Sequence, residues 1–183
     1  MKPRTRDPLR LDVESLAKEG GRLEGRWPLA GFERLAQSAH AEARPAASDE
    51  VAWQAEGELR PVRGGAPEVW LHVQAQARIR LECQRCLQPV AASLAVQRSF
   101  RFVDDEATAA EIDADCEDDV LVLTRSLNMH ELVEDELILG LPLVPMHETC
   151  PQPLVAPADE LPATEDRPNP FAALAALKRK EPH

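Results

Sequence analysis

The sequence predicts one α+β domain over residues 1–150, with helices packed against an antiparallel sheet, followed by an extended acidic, proline-rich tail over residues 151–183. From Val69 to Leu81 the odd positions are apolar, and the even positions from 72 to 80 are polar. Residues 92–102 alternate in the same way, with Arg98 as the exception. Two alternating runs around a short turn region indicate an antiparallel hairpin with one buried face. Nine of the 16 prolines fall between Pro142 and Pro182, which indicates the tail.

The N-terminal third predicts short mixed elements. Asp12 is predicted to cap a short helix that runs to Lys18, because its side-chain oxygen can accept from free backbone N–H groups of the first turn. A strand is predicted from Leu23 to Trp27, and Pro28 is predicted to begin a second helix. Val51 to Leu59 adds a third strand to the hairpin. Leu29, Phe32, Leu35 and Ala36 are expected to form the buried face of this second helix.

The segment after the hairpin begins with a run of acids. Asp104 to Asp119 holds nine acidic residues and no basic one, which predicts an exposed, mobile loop. Val120 to Leu123 is predicted as a short strand. Asn128 is predicted to cap a helix that runs to about Leu141, where Pro142 stops it. This helix is expected to bury Met129, Leu132, Val133 and Leu137 and to expose Glu131, Glu134 and Asp135, and both His72 and His130 are expected on polar surfaces.

Composition and charge exclude several classes of function. The chain carries a net charge of −11, divided into +3 over residues 1–103 and −14 over residues 104–183. An acidic chain does not bind nucleic acid through bulk counterion release, so no DNA binding is expected and any RNA contact needs a local basic patch. The first 30 residues lack an apolar core and no run approaches 18 apolar residues, which argues for a cytoplasmic protein with no membrane contact.

Two short sequence motifs, called steps here, contain the residues of a possible metal site. Cys83 and Cys86 are three positions apart, as are His147 and Cys150, so each pair can point at one ion from a tight turn. Three thiolates and one imidazole form the donor set of a closed structural zinc site. The alternative is that these are ordinary core and loop residues. A redox role for Cys83 and Cys86 would need a helix N-terminus, which the hairpin pattern does not provide, and Cys116 is expected to be an incidental thiol.

Basic and apolar residues suggest where RNA or a partner would bind. Arginines cluster around the hairpin, and the end of the tail combines apolar residues at helical spacing with a basic cluster. These side chains either contact RNA phosphate or an RNA-bound protein, or simply form a solvated strand face and a solubilising tail. The candidates are Arg78, Arg80, Arg85 and Arg101 at the hairpin and Phe171, Leu174, Leu177, Lys178, Arg179 and Lys180 in the tail.

Three separated motifs carry a family resemblance. They are Cys83-Gln84-Arg85-Cys86, then the sequence over 133–147 that contains Val-Glu-Asp-Glu-Leu and Leu-Pro-Leu-Val-Pro before His147, and finally Asn169-Pro170-Phe171 with the basic end at Lys180. In this order they resemble the YceD family, whose members are called large ribosomal RNA subunit accumulation proteins. The resemblance spans residues from about 80 to 180. It implies a role in the synthesis, processing or stability of large-subunit (23S) ribosomal RNA, and it carries over no catalytic residues.

The sequence therefore predicts a non-enzymatic factor in ribosome biogenesis that binds ribosomal RNA or an assembly or processing protein. The first alternative is a zinc-stabilised protein–protein adaptor with no RNA contact, in which the tail helix docks into a groove. The second is a hydrolase or nuclease that uses the acidic run and a divalent metal. It is disfavoured because a preorganised site is hard to build in a mobile loop, and because the sequence holds no phosphate-binding glycine loop or nucleophile arrangement.

Overall fold

A computed structural model describes residues 6–113 and 118–151. Five strands form one sheet in the order β1-β2-β3-β4-β5, so the predicted α+β fold class is confirmed. The strands are β1 (Arg22–Pro28), β2 (Glu50–Arg60), β3 (Glu68–Glu82), β4 (Pro89–Val103) and β5 (Asp119–Val122). The helices are α1 (Val13–Lys18), α2 (Glu33–Gln37), α3 (Glu106–Asp113) and α4 (Met129–Leu139), with short 3₁₀ turns at Pro8–Arg10 and Leu29–Gly31. The predicted tail helix lies outside the described residues.

The central hairpin is confirmed and is longer than the alternation indicated. β3 and β4 are antiparallel in a register that joins Val69 to Phe102 at one end and Glu82 to Pro89 at the other. Odd residues of β3 and even residues of β4 face a common core, to which α1 and α4 also contribute. The opposite side of the sheet is called the open face here, and its exposed side chains include Gln74, Gln76, Arg78, Arg80, Ser93 and Ala95.

The predicted helix beginning at Pro28 is wrong. Pro28 is the last residue of β1 and lies opposite Glu50, and the chain then makes a 3₁₀ turn before α2. Phe32 interrupts the helix with a backbone of φ −89° and ψ 82°. This conformation buries its ring completely against His130, whose ring stacks on it at 4.0 Å. Aromatic packing therefore decides the local backbone, and His130 is a half-buried aromatic neighbour rather than the surface residue we expected.

The acidic run is not wholly a loop, since α3 forms within it. Asp105 caps α3 by accepting the backbone N–H of Thr108 at 2.9 Å, and Ala109 is buried. The reason is topological, because β5 is parallel to β4 and joins it through pairs such as Phe102 with Leu121. Parallel neighbours need a crossover connection, and α3 lies in that connection. Residues 114–117, including Cys116, lie outside the described residues.

The predicted exposure of Glu134 is wrong as well. Asn128 caps α4 as expected, and Met129, Val133 and Leu137 are fully buried. Glu134 is only 6% exposed, because its carboxylate accepts the backbone N–H groups of Arg34 at 2.8 Å and Leu35 at 3.2 Å. The carboxylate thus satisfies two free N–H groups at the start of α2 and ties α2 to α4.

Arg98 breaks the alternation of β4 for a related reason. It lies on the core side of the strand, where its Nε donates to the carboxylate of Glu136 at 3.0 Å. Glu136 is 6% exposed, and its burial raises its pKa although the charge of Arg98 opposes this shift. A charged pair therefore replaces one apolar contact between β4 and α4, which no alternation pattern could have indicated.

We expect Glu134→Ala to lower the free energy of unfolding by about 1–3 kcal/mol, because the N–H groups of Arg34 and Leu35 would be left without an acceptor. Burial raises the pKa of Glu134, but hydrogen bonds from Leu35 and Arg34 outweigh it and the pKa is lowered overall. The stabilisation is therefore fully present above an unfolded pKa of about 4.3 and is lost as pH falls through the lowered folded pKa. Denaturant titrations should show a smaller difference in the free energy of unfolding between wild type and variant at pH 3 than at pH 7.

Asp135→Ala is the matched control for this test. Asp135 neighbours Glu134 on α4 but is half-exposed, and it pairs with the guanidinium of Arg34 at 2.6 Å. Surface ion pairs of this kind contribute about 0–1 kcal/mol. Equal losses of stability in the two variants would contradict the capping role of Glu134.

Candidate metal centre

The turn between β3 and β4 forms a tight loop that presents two thiols to one point. The backbone N–H of Cys83 donates to the carbonyl of Gln88 at 3.0 Å, and the N–H of Leu87 donates to the carbonyl of Cys83 at 2.9 Å. Leu87 has a positive φ of 57°, a conformation usually reserved for glycine, and this closes the loop. Cys83 and Cys86 are both buried as a result.

The second step reaches this loop because α4 carries the chain back across the sheet. The carbonyl of Pro145 accepts the N–H of Gln84 at 2.9 Å, which fixes the returning segment against the turn. Nε2 of His147 lies 3.1 Å from the carbonyl oxygen of Pro89. A carbonyl can only accept, so Nε2 carries the proton and Nδ1 is left with a lone pair for a metal.

The four predicted ligands converge. One donor atom from each of Cys83, Cys86, His147 and Cys150 lies within 4.8 Å of the other three. Sγ of Cys83 is 4.0 Å from Sγ of Cys150, and Sγ of Cys86 is 3.4 Å from Nδ1 of His147. Ligands of a tetrahedral zinc ion with bonds near 2.3 Å are about 3.8 Å apart. The donor set therefore fits zinc in both chemistry and spacing.

The backbone around the site favours a thiolate at Cys83. Burial raises the pKa of this thiol, but N–H groups of His147, Cys86 and Arg85 point at the sulfur and lower its pKa to about 5 overall. Burial and the neighbouring thiols Cys86 and Cys83 instead raise the pKa of Cys150. The cluster thus holds one sulfur ready to bind a cation, whereas Cys150 gives up its proton when a metal binds.

Such a site would stabilise the fold, and a metal held there would have no open position for catalysis. Four protein ligands complete a tetrahedral zinc shell, so no position remains for water or substrate. The cluster joins the β3–β4 turn to the chain that follows α4, across a separation of 61 residues between Cys86 and His147. A redox role for the Cys83–Cys86 pair stays disfavoured, since the pair follows a strand and no helix begins there.

The predicted arginines differ in their surroundings. Arg78 and Arg80 are exposed on the open face near the end of β3, and Arg85 is exposed in the loop between the two cysteines. Arg101 lies at the other end of the hairpin, half-buried, and pairs with Glu68 at 2.8 Å. Three of the four hairpin arginines therefore lie at the end of the sheet that carries the candidate metal ligands, called the metal end here. The tail candidates from Phe171 to Lys180 lie outside the described residues.

The open face carries a second polar cluster that was not predicted from the sequence. The guanidinium of Arg60 lies 4.1 Å from the ring centroid of Trp70, and its NH2 group donates to Glu58 at 3.0 Å. His72 contacts both Glu58 and Ser99 at 2.8 Å. Only the strand register brings these residues together, so the sequence signal was limited to polar residues at alternate positions of β2, β3 and β4.

Comparison with known proteins gives one match. The model of the family described as "Large ribosomal RNA subunit accumulation protein YceD" matches residues 71–178, which is more than half of the chain. The matched region includes β3 from Leu71 onward, all of β4, both metal-ligand steps and α4. No curated protein and no solved structure matches the chain. Among the described residues, no helix has the length and apolar character needed to cross a bilayer.

Proposed function

Since this chain belongs to the YceD family of large ribosomal RNA subunit accumulation proteins, we propose that it supports the synthesis, processing or stability of 23S ribosomal RNA. In this proposal it acts in the cytoplasm and as a non-enzymatic factor. The family match is the observation that carries this proposal. The closed metal cluster supports the non-enzymatic part, because its four protein ligands would complete a structural site. The protein then works by binding, either to the RNA or to an assembly partner.

The metal end of the open face is the part of the described chain that best suits RNA phosphate. Arg78 and Arg80 are two positions apart on β3, so their side chains leave the same face of the sheet about 7 Å apart. This distance is close to the spacing of successive phosphates along an RNA chain. Arg85 extends from the adjacent loop. We propose that these three side chains contact the RNA backbone, with zinc bound by Cys83, Cys86, His147 and Cys150 holding the loop in place.

Ultraviolet crosslinking in cells, followed by sequencing of the recovered RNA, tests the proposed function. Enrichment at defined positions of the large-subunit RNA would support direct binding. Recovery of no RNA would favour the adaptor alternative, which the net charge of −11 makes a serious competitor. Normal large-subunit RNA levels in cells that lack the protein would contradict both versions.

We expect the double variant Arg78→Glu/Arg80→Glu to weaken RNA binding about tenfold or more at about 0.15 M salt, because two phosphate contacts become repulsive. The salt dependence should also become shallower by about 1.4 in the log–log slope, as expected when two contacts to single-stranded RNA are lost. Filter binding or fluorescence anisotropy at several salt concentrations measures both effects.

Arg63→Glu/Arg125→Glu is the control with the same change of charge. Both arginines are exposed, and they lie near the end of the sheet opposite the metal-ligand loop. If this control weakens binding as much as Arg78→Glu/Arg80→Glu does, then RNA responds to net charge and the proposed contact surface is wrong.

A further inference from the structure

Two sulfurs of the candidate metal cluster lie close enough to form a disulfide. Sγ of Cys83 is 4.0 Å from Sγ of Cys150, and the two residues are 67 positions apart in the chain. A disulfide needs an S–S distance of about 2.05 Å, so each sulfur would have to move by only about 1 Å. This small displacement would join the β3–β4 turn covalently to the chain that follows α4.

The backbone around the cluster favours movement of Cys150 over rearrangement of the turn. Hydrogen bonds from the N–H groups of Cys83, Gln84 and Leu87 hold the turn. Among the described residues, by contrast, no backbone hydrogen bond is made by Cys150. A disulfide between Cys83 and Cys86 would have to form inside the hydrogen-bonded turn, whereas Cys150 can approach Cys83 while the turn stays intact.

Access from solvent also differs among the three thiols of the cluster. Cys83 is completely buried and Cys86 is 6% exposed, whereas Cys150 is only half-buried. Small oxidants react with cysteines according to their thiolate character and their exposure. All three sulfurs are deprotonated while they bind a metal, so exposure decides between them and favours first attack at Cys150.

From these observations we propose that Cys150 is a site of reversible oxidation by hydrogen peroxide, which ends in a Cys83–Cys150 disulfide and in release of the metal ion. The sulfur of Cys150 attacks one peroxide oxygen, the O–O bond breaks, and hydroxide leaves, which gives a sulfenic acid. The sulfur of Cys83 then attacks the sulfenic sulfur, and the S–S bond forms as hydroxide leaves. The two thiolates lose two electrons to the peroxide, and two protons from solvent convert both hydroxides to water.

This oxidation exchanges a metal link for a covalent one. Two of the four donors are consumed, and Cys86 and His147 alone do not complete a zinc shell. The disulfide keeps the turn attached to the chain after α4 when the metal leaves, and a thiol reductant restores the original donor set. The inference rests on the candidate metal centre, and it is independent of the proposed role in RNA accumulation.

Peptide mapping and zinc release test the inference on the full-length, zinc-loaded protein. Trypsin cleaves after Arg85 and therefore places Cys83 and Cys86 on different peptides. Mass spectrometry then identifies which of the two is joined to the peptide that carries Cys150. After treatment with hydrogen peroxide we expect Cys83–Cys150 as the main disulfide, with about one zinc ion released for each disulfide formed. Dithiothreitol should remove the disulfide and allow zinc to bind again.

Cys150→His retains two thiolates and two imidazoles, which also form a closed zinc set, but it lacks the reactive thiol. Peroxide should therefore release its zinc about tenfold more slowly than in the wild type. Met146→Leu is the matched control, because it removes an exposed, oxidisable side chain close to His147 in the sequence, and it should lose zinc as fast as the wild type.

Several results would overturn the proposal. They are a main disulfide between Cys83 and Cys86, zinc release without a disulfide, protection of the site by Met146→Leu, and equally fast release from zinc-loaded Cys150→His. If Cys150→His does not hold zinc, the peptide map of the wild type decides by itself. Wild-type protein that never binds zinc would contradict the candidate metal centre, and the peptide map would still decide whether Cys83 and Cys150 form the disulfide.

Discussion

Replacing Cys83 with serine should release the metal ion and markedly destabilise the domain. Cys83 is fully buried, its pKa is lowered to about 5, and its sulfur is one of the four donor atoms of the cluster. Structural zinc contributes about 10 kcal/mol or more of binding free energy, which is available only to the folded chain. We expect about one zinc ion per wild-type chain by elemental analysis, less than about 0.1 in Cys83→Ser, and a thermal midpoint lowered by about 10 °C or more.

Cys116→Ser provides the control, because this cysteine is not one of the four predicted ligands. It should retain the metal content and thermal midpoint of the wild type. Chelation of wild-type protein should reproduce the effect of Cys83→Ser, and zinc should restore only the wild type. Wild-type protein that is metal-free and equally stable with and without added zinc would end the zinc hypothesis.

The second large effect is expected at Gly57, where α1 lies directly on β2. A methyl group at this position would sit 2.7 Å from the backbone nitrogen of Ala17 and 2.8 Å from the carbonyl carbon of Leu16. Backbone atoms cannot move aside as a side chain can, so the helix must shift away from the sheet. We expect Gly57→Ala to lower the free energy of unfolding by about 2–3 kcal/mol in denaturant titration.

Gly65→Ala is the comparison for this variant. A methyl group at Gly65 would meet only the side chain of Val62, at the ordinary contact distance of 3.6 Å. Its stability should stay within about 0.5 kcal/mol of the wild type. If Gly57→Ala is equally mild, the close packing of α1 on β2 is not what the distances indicate.

Elements that depend on short-range patterns could be predicted from the sequence. The alternation in β3 and β4 determines which side chains are buried, and the caps at Asp12 and Asn128 satisfy N–H groups only two or three residues away. The candidate metal ligands could also be recognised, because each of the two steps places two donor residues three positions apart, where both can face one ion. Whether zinc occupies the cluster, and whether the arginines bind RNA, stay predictions.

Other features depended on partners far away in the chain. The exposure of Glu134 was mispredicted because the N–H groups it caps lie about 100 residues earlier, on α2. The backbone at Phe32 is determined by a ring at His130, and α3 forms because β5 joins β4 in parallel. A helical wheel or an acid count describes only a segment and its solvent, so it carries no information about such partners.

The sequence by itself determined that this protein has a half-buried hairpin, capped helices and two pairs of possible metal ligands, because each of these is encoded over a few neighbouring residues. Tertiary structure alone decided that the two pairs meet, that Glu134 and Glu136 are buried, and that β5 joins the end of β4 in parallel. The physical reason is that burial and pairing depend on the distance between elements in space, which the fold sets only when the whole sheet has formed.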